Sequence, residues 1–492
     1  MARPINSSAG QLKLLRFSVG AIVVGIVVWG LTDVRMRARI DPQHRAVHKT
    51  DFTVYTEAGA AMFDGRDPYR VSNPRGWKYV YPPLFAITVA PLHGMNPQIQ
   101  VLVWFAFSVC LCWGCYRECL RIASIVSPSQ STHGVFGPVP MWIGCAALAA
   151  AILPVLNCLQ RGQVGVALLY FLLLGFRLLV ESCTARRSFL AGAVFALPIV
   201  LKATPFLPVV FVLAQQAVAA WYSPRQRVEL TRFGASFSGT ICGLAVFLFF
   251  VPAALIGWGT NLHHLDTWWN TVAMHEESAL VERFAEDNTT DRNQSLTNAA
   301  HHFGNSTVEF LKIRPTVHQQ DAPLDEAKRL PMDAPLVDTI LLLIRVALGC
   351  FLLPVGYRVA RARDRLGQTV AFGLAYLLTL IVCQIARAHY FMIWFPVILF
   401  VSLWLIRERH PRLATLYAVV PGILVMAHYV FLHSVGAIGL LGLGTAVWYS
   451  AVCLTILWLS PAETSESTFS SHTVSDYNFR GSTKSEINRK AA

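Results

Sequence analysis

YPPLFAITVAPL, residues 81–92, is the stretch on which the topology of this chain turns. It is apolar, yet its twelve residues would rise only about 18 Å as a helix, against roughly 30 Å for the hydrocarbon core of a bilayer. Pro82, Pro83 and Pro91 bound it at both ends. A re-entrant or interfacial helix suits those limits; a full crossing does not. Counting it as a crossing would invert the side on which every later loop falls.

Around it lies a chain of 492 residues, 54% hydrophobic and 14% charged, where a soluble domain carries about 25% charged residues. Apolar runs near 14–31, 97–119, 139–156, 164–180, 189–201, 205–221, 233–256, 336–357, 369–386, 390–406, 413–431 and 437–459 predict about twelve transmembrane helices. The expected fold is therefore an all-α integral membrane protein. Residues 1–460 form one transmembrane domain with long external loops at 32–96 and 258–335, and 461–492 form a flexible cytoplasmic tail rich in Ser and Thr. The first run is followed by Arg35, Met36, Arg37, Ala38 and Arg39, not by a small-residue cleavage site, so it reads as a retained helix. The net charge of +13 is scattered through connectors, which fits cytoplasmic loops and gives no reason to expect a nucleic-acid partner. Cysteines such as Cys110, Cys112, Cys115 and Cys119 sit inside apolar runs, without the spacing of a disulfide framework or a zinc site.

With the N-terminus inside, Arg117 and Arg121, Arg186 and Arg187, Arg225 and Arg227, Arg358 to Arg365, and Arg407 and Arg409 all fall on the cytoplasmic side. The exception is the first external loop, where Arg35, Arg37, Arg39, Arg45 and Lys49 form a basic patch suited to anionic lipid or phosphate. Just beyond that patch, HKTDFTVYTEAGAAMFDGRDPYR (residues 48–70) places Phe52, Tyr55, Gly59 and Met62/Phe63 on one helical face. It reads as a short interfacial helix opened by Asp51 and closed by a turn at Gly65 to Tyr69. The same parity brings Asn157, Gln160, Arg161, Gln163, Lys202, Arg387 and His389 to external helix ends. Singly, each has a structural role to play: Arg161 and Lys202 can snorkel, Gln163 can cap a helix. Lys202, however, lies in LPIVLKATPFLP between two Pro-interrupted runs, where a cation calls for an anion. One carboxylate, several cations and polar amides at one membrane surface suit a phosphate leaving group and an acceptor hydroxyl activated by an acid.

In chain order, TDFTVYTEAGAAMFDGRDPY, YVYPPLFAITVAPL, NCLQRGQVGVALLYFLLLGF, AGAVFALPIVLKATPFLPVVFVL, RNQSLTNAAHHF and RAHYFMIWFPVIL resemble the successive signatures of the GT-C glycosyltransferases of family 87, from about residue 15 to 430. That resemblance implies a polyprenyl-phosphate-mannose-dependent α-mannosyltransferase with a GT-C-type helical bundle. It would use a polyprenyl-phosphate-linked sugar donor and a lipid-linked or glycan acceptor, with inversion and with neither cofactor nor metal. By the same likeness Asp51 is the catalytic acid residue of the first external loop, with Glu57 as its nearest rival. Lys202, Arg387 and His389 bind the donor phosphate. Tyr55, Glu57, Tyr81, Arg161, Gln163, Asn293 and Gln294 line the sugar or acceptor pocket. The expected setting is the plasma (inner) membrane of a bacterium, multi-pass, both termini cytoplasmic and the site on the external or periplasmic face. Two departures stand out: the family's usual GQVN is GQVG here, ending at Gly165, and Ile385, Ala386, Arg387 and Ala388 replace its serine/tryptophan run before the histidine. The alternative is a transporter or flippase of polyprenyl-linked sugars, which would place ionisable groups near helix midpoints and not at one set of ends.

Overall fold

The computed structural model describes residues 9–39, 50–72, 78–127, 136, 139–274, 294–297, 299–300, 334–383, 386–431 and 439–459. Arg45, Lys49, Asn293 and the tail 461–492 lie outside the described residues. Regular structure among the described residues is helical throughout, with no strand. Helix α1 spans Ala9–Arg37, α2 Phe52–Phe63, α3 Pro83–Val89 and α4 Pro97–Val126. Then follow α5 (Met141–Arg161), α6 (Gly165–Glu181), α7 (Ala185–Leu201) and α8 (Phe206–Trp221). Helix α9 (Gln226–Ala245) continues through a π-turn into α10 (Val251–Ile256), and α11 (Trp258–Trp268) follows. The last five are α12 (Ala334–Arg361), α13 (Arg365–Val382), α14 (Trp394–Arg407), α15 (Pro411–Val430) and α16 (Leu440–Leu459).

This is a polytopic all-α membrane protein: among the described residues, 8 helices are long and apolar enough to cross a bilayer. Helices α6, α7 and α8, at 17, 17 and 16 residues, are shorter. Burial sorts the bundle. The spans Arg365–Val382 and Ala388–Arg407 are 83% buried, against 22–50% for the other six, so α13 and α14 form its centre. Their polar residues are satisfied locally, as a dry interior requires: Thr369 and Thr379 hydroxyls donate to the carbonyls one turn back, at 2.8 and 3.0 Å. Phe176 of α6 stacks on Phe372 of α13 with centroids 4.4 Å apart. At the α7–α9 crossing the backbones touch, because a Cβ on Gly192 would stand 1.9 Å from the Ser236 carbonyl oxygen.

The short Tyr81–Leu92 stretch folds as α3 and a 3-10 turn, Ala90–Leu92, and its prolines explain how it starts. Pro82 and Pro83 carry no N–H, and the Tyr79 hydroxyl does the capping instead, donating to the Pro82 carbonyl at 2.7 Å and accepting from the Ala86 N–H at 3.1 Å. Helix α2 crosses α3 so closely that a Cβ on Gly59 would meet the Ala86 carbonyl oxygen at 2.3 Å. The expectation of an interfacial helix with one apolar face needs correcting. Thr53, Val54, Ala58 and Ala61, off that face, are buried as well, while on it Thr56 donates to Gln100 Oε1 of α4 at 2.6 Å and Phe63 is exposed. Helix α2 is thus packed inside protein, and only Glu57 and Phe63 are left exposed on it.

The ends of the bundle differ in chemistry. At one, Glu118 of α4 pairs with Arg121 and with Arg177 of α6, Arg177 also pairs with Glu181, and Arg232 of α9 pairs with Glu229. There too Asp364, capping α13, takes both Nη atoms of Arg407 at 2.6 and 2.5 Å. Burial pushes the Asp364 carboxyl up, but the Arg407 guanidinium outweighs it and holds the pKa below the usual value. A carboxylate depressed in this way stabilises the fold above its ordinary pKa, and the contribution disappears as the pH falls through the depressed value. Asp364→Asn should therefore cost about 1 kcal/mol of stability near neutral pH, after screening of the part-exposed pair. Thermal unfolding in detergent should show the difference from the parent protein shrinking towards acid pH.

Candidate active site

The other end of the bundle is organised by the Arg161–Gly162–Gln163 turn between α5 and α6. Gly162 is left-handed at φ 71°. Its N–H donates to the Leu159 carbonyl and the Gln163 N–H to the Cys158 carbonyl, both at 3.1 Å, which is the glycine-terminated helix end. The Arg161 carbonyl then accepts the Asp51 N–H at 2.9 Å and the Thr50 hydroxyl at 3.3 Å. Glycine is needed for space as well as for φ: a Cβ at Gly162 would stand 2.9 Å from Phe52 Cβ and 3.0 Å from Thr50 Oγ1. Ring stacking of Phe52 on Trp104, at 4.9 Å, steadies the start of α2 from its other side.

Thus anchored, Asp51 faces Gln163, whose Nε2 donates to Asp51 Oδ2 at 2.5 Å. The carboxylate does not cap its own helix, and among the described residues Oδ1 takes no hydrogen bond. Gln163 Oε1 accepts from the Tyr81 hydroxyl at 3.4 Å, and the Tyr81 and Tyr55 hydroxyls lie 3.4 Å apart. Burial raises the Tyr55 phenol well above its ordinary value. It raises Tyr81 also, although the neighbouring Lys202 charge pulls the other way, so both remain protonated donors.

Lys202 stands at the end of α7, its Nζ 5.5 Å from the Tyr81 ring centroid and 4.3 Å from that of Tyr390. It donates to the Tyr390 hydroxyl at 2.7 Å, and no carboxylate lies within ion-pair distance among the described residues. Burial works to lower the Lys202 ammonium, and its hydrogen bond to the Tyr390 oxygen works to raise it. His389, 1% exposed, packs edge-on against Tyr390, with neither ring nitrogen hydrogen-bonded among the described residues. Arg161, Lys202 and Arg387 are close enough for their charges to act on it. A neutral imidazole there has one N–H to donate and one nitrogen to accept with.

The structure thus brings together Asp51, Tyr55, Tyr81, Arg161, Gln163, Lys202, Arg387 and His389. Glu57 is not among them: it lies on the exposed side of α2. Gln294 is fully buried as a tie, its N–H donating to the Ala386 carbonyl at 2.5 Å and its Oε1 accepting from the Leu441 N–H at 3.3 Å. It holds the turn before Arg387 against the start of α16. Asn157 and Gln160 are half-buried on the last turns of α5. Tyr390, the partner of Lys202, and Thr50 are additions that sequence reasoning missed. The only signal for Tyr390 was its place beside His389, which says nothing of Lys202 188 residues earlier.

Taken together, fold and site define a multi-pass membrane protein with a carboxylate and several cations at one end of its bundle. The model for glycosyltransferase family 87 matches residues 79–384, more than half of the chain. The chain belongs to that family and is a membrane glycosyltransferase. No curated protein and no solved structure matches it. The match includes Tyr81, Gln163 and Lys202 but neither Asp51 nor Arg387 and His389, so the placement of those three rests on geometry.

Geometry also accounts for Gly165. A Cβ there would lie 2.5 Å from the Met392 methyl, so the 3-10 turn Ala388–Ile393 fills the space that a side chain at 165 would take. Gly165→Asn alone should cost about 1–3 kcal/mol through overpacking. Adding Met392→Ala should recover part of that loss, and unfolding of both singles and the double in detergent measures it. Strict additivity would show that the two sites are independent.

Proposed function

We propose that this glycosyltransferase moves a hexose, mannose in our reading, from a polyprenyl-phosphate donor to a hydroxyl of a lipid-linked or glycan acceptor. One observation carries the reading: the Asp51 carboxylate and the Lys202 ammonium belong to one cluster, linked through Gln163 and Tyr81, yet are not paired with each other. A structural ion pair would have closed on itself. Here the carboxylate is held by a neutral amide and the cation by a neutral hydroxyl, so both keep their charge for substrate.

In the proposed step Asp51 Oδ1 takes the proton of the acceptor hydroxyl as its oxygen attacks C1 of the sugar. The bond from C1 to the phosphate oxygen breaks, its electron pair leaves with the polyprenyl phosphate, and configuration at C1 inverts. Lys202 meets the developing phosphate charge, with Arg387 and His389 beside it. Gln163 orients the base, and Tyr55 and Tyr81 offer hydroxyls to the sugar. The bundle end bearing this cluster would face the outside of a bacterial plasma membrane.

Purified protein given labelled polyprenyl-phosphate mannose and a lipid extract of its host should release free polyprenyl phosphate and label an acceptor. Asp51→Asn should lower transfer by about 10²–10⁴-fold; retention of most activity would refute the base assignment. Movement of intact lipid-linked sugar between vesicle leaflets, with no release, would mean flipping instead. Gln163→Glu sets a second carboxylate against Asp51, and like charge favours the protonated form. The acid limb of the pH–rate profile should then move to higher pH, by roughly 1 unit or more.

A further inference from the structure

A polar cavity lies at the end of α6 away from Gln163. Helix α6 starts beside Gln163, and Leu179, fourteen residues beyond Gly165 and roughly 20 Å along the axis, lines a cavity of about 150 Å³. Nothing in the Asp51 cluster reaches it. Its polar lining is dominated by Gln215 of α8, Arg232 of α9, and Arg363 and Arg365 of the α12–α13 turn.

The charges there do not balance. The cavity's one carboxylate, Glu229, is already taken by Arg232 Nη1, with both oxygens at 2.9 and 2.8 Å. Arg232 Nη2 donates to the Ser182 carbonyl. Asp364, which stands between the two rim arginines in sequence, is turned to Arg407, and among the described residues neither Arg363 nor Arg365 has an ion-pair partner. The lining therefore carries a surplus of two positive charges. Two inner donors are also left over: Arg232 Nε and Gln215 Nε2 are buried without a hydrogen-bond partner, and Gln215 is only 5% exposed. A buried donor left unpaired is costly, and two of them on side chains that line a cavity with surplus positive charge, free to turn toward it, are complementary to an anion with several acceptor oxygens.

We propose that this cavity is an anion site for a doubly charged phosphate group. Its oxygens accept from Arg232 Nε and Gln215 Nε2, and the Arg363 and Arg365 guanidinium groups close over its charge. Two negative charges match the surplus, and three terminal oxygens serve converging donors where a carboxylate has two. The group can arrive as free phosphate or as the monoester headgroup of an anionic lipid. The site is separate from the proposed transfer chemistry and stands or falls independently of it.

The test is thermal unfolding of the full-length protein. One arm compares inorganic phosphate with chloride of equal ionic strength in detergent; the other compares phosphatidylcholine nanodiscs with and without phosphatidic acid. Phosphate or phosphatidic acid should raise the midpoint, and the arm that responds identifies the source. Arg363→Gly suits the left-handed backbone at φ 56° and so should not harm the fold. Gln215→Leu removes an unpaired buried donor and should leave the unliganded midpoint unchanged or higher. Each should weaken the apparent affinity about tenfold, whereas Lys202→Met, at the other end of the bundle, should not. No shift in either arm, or a shift undiminished in both variants, would overturn the proposal. So would a shift that only Lys202→Met removes.

Discussion

A helix must end somewhere, and the carbonyls of its last turn must find donors. In this protein the carbonyl of Arg161, at the end of α5, finds the backbone N–H of Asp51. That bond joins the loop between α1 and α2 to the junction of α5 and α6, across more than a hundred residues. Gly162 makes it possible by turning left-handed and by carrying no side chain where Thr50 and Phe52 pass. Once Asp51 is fixed there, Gln163 meets its carboxylate, Tyr81 meets Gln163, and the aromatic packing of α2 and α3 follows. The short Tyr81–Leu92 stretch is thus less a failed crossing than a support that carries Tyr81 to the end of α7.

The electrostatic arrangement has a common theme. At the other end of the bundle each carboxylate named above is matched by an arginine: Glu118 with Arg177, Glu229 with Arg232, Asp364 with Arg407. At the Asp51 end the same economy is withheld, and a carboxylate and an ammonium are each held by neutral partners. Burying a cation without a counter-ion is costly, and Lys202 is sustained by Tyr390 and by the faces of two tyrosine rings. A cluster of this kind is stable enough to persist and unsatisfied enough to bind a phosphate.

Much of the fold was legible in the sequence because lipid imposes length and hydropathy directly. Every expected apolar run coincides with a helix, and the reading of residues 81–92 as too short to cross agrees with the seven-residue α3. Which helix ends share chemistry is legible from charge, and that alone puts Asp51, Gln163, Lys202 and His389 together. Contacts themselves are not. A 3.6-residue pattern gives α2 one apolar face, yet Val54, Ala58 and Ala61 outside that face are buried too, which no local pattern encodes. Glu57 falls off the apolar face in that pattern and is exposed. Gln294 had the chemistry of a sugar ligand, but the backbone groups at Ala386 and Leu441 occupy it. Tyr390 depended on α7 ending against a 3-10 turn, a tertiary fact with no sequence signal.

The central claim is that the Asp51 end of the bundle binds a polyprenyl phosphate with its phosphate on Lys202. An experimental structure of the protein with polyprenyl phosphate bound tests it most directly. The expected result places a phosphate oxygen within hydrogen-bond distance of Lys202 Nζ, on the side of His389, with Asp51 Oδ1 facing the space beside it. A phosphate bound away from Lys202, with Lys202 still held by Tyr390 alone, would contradict it.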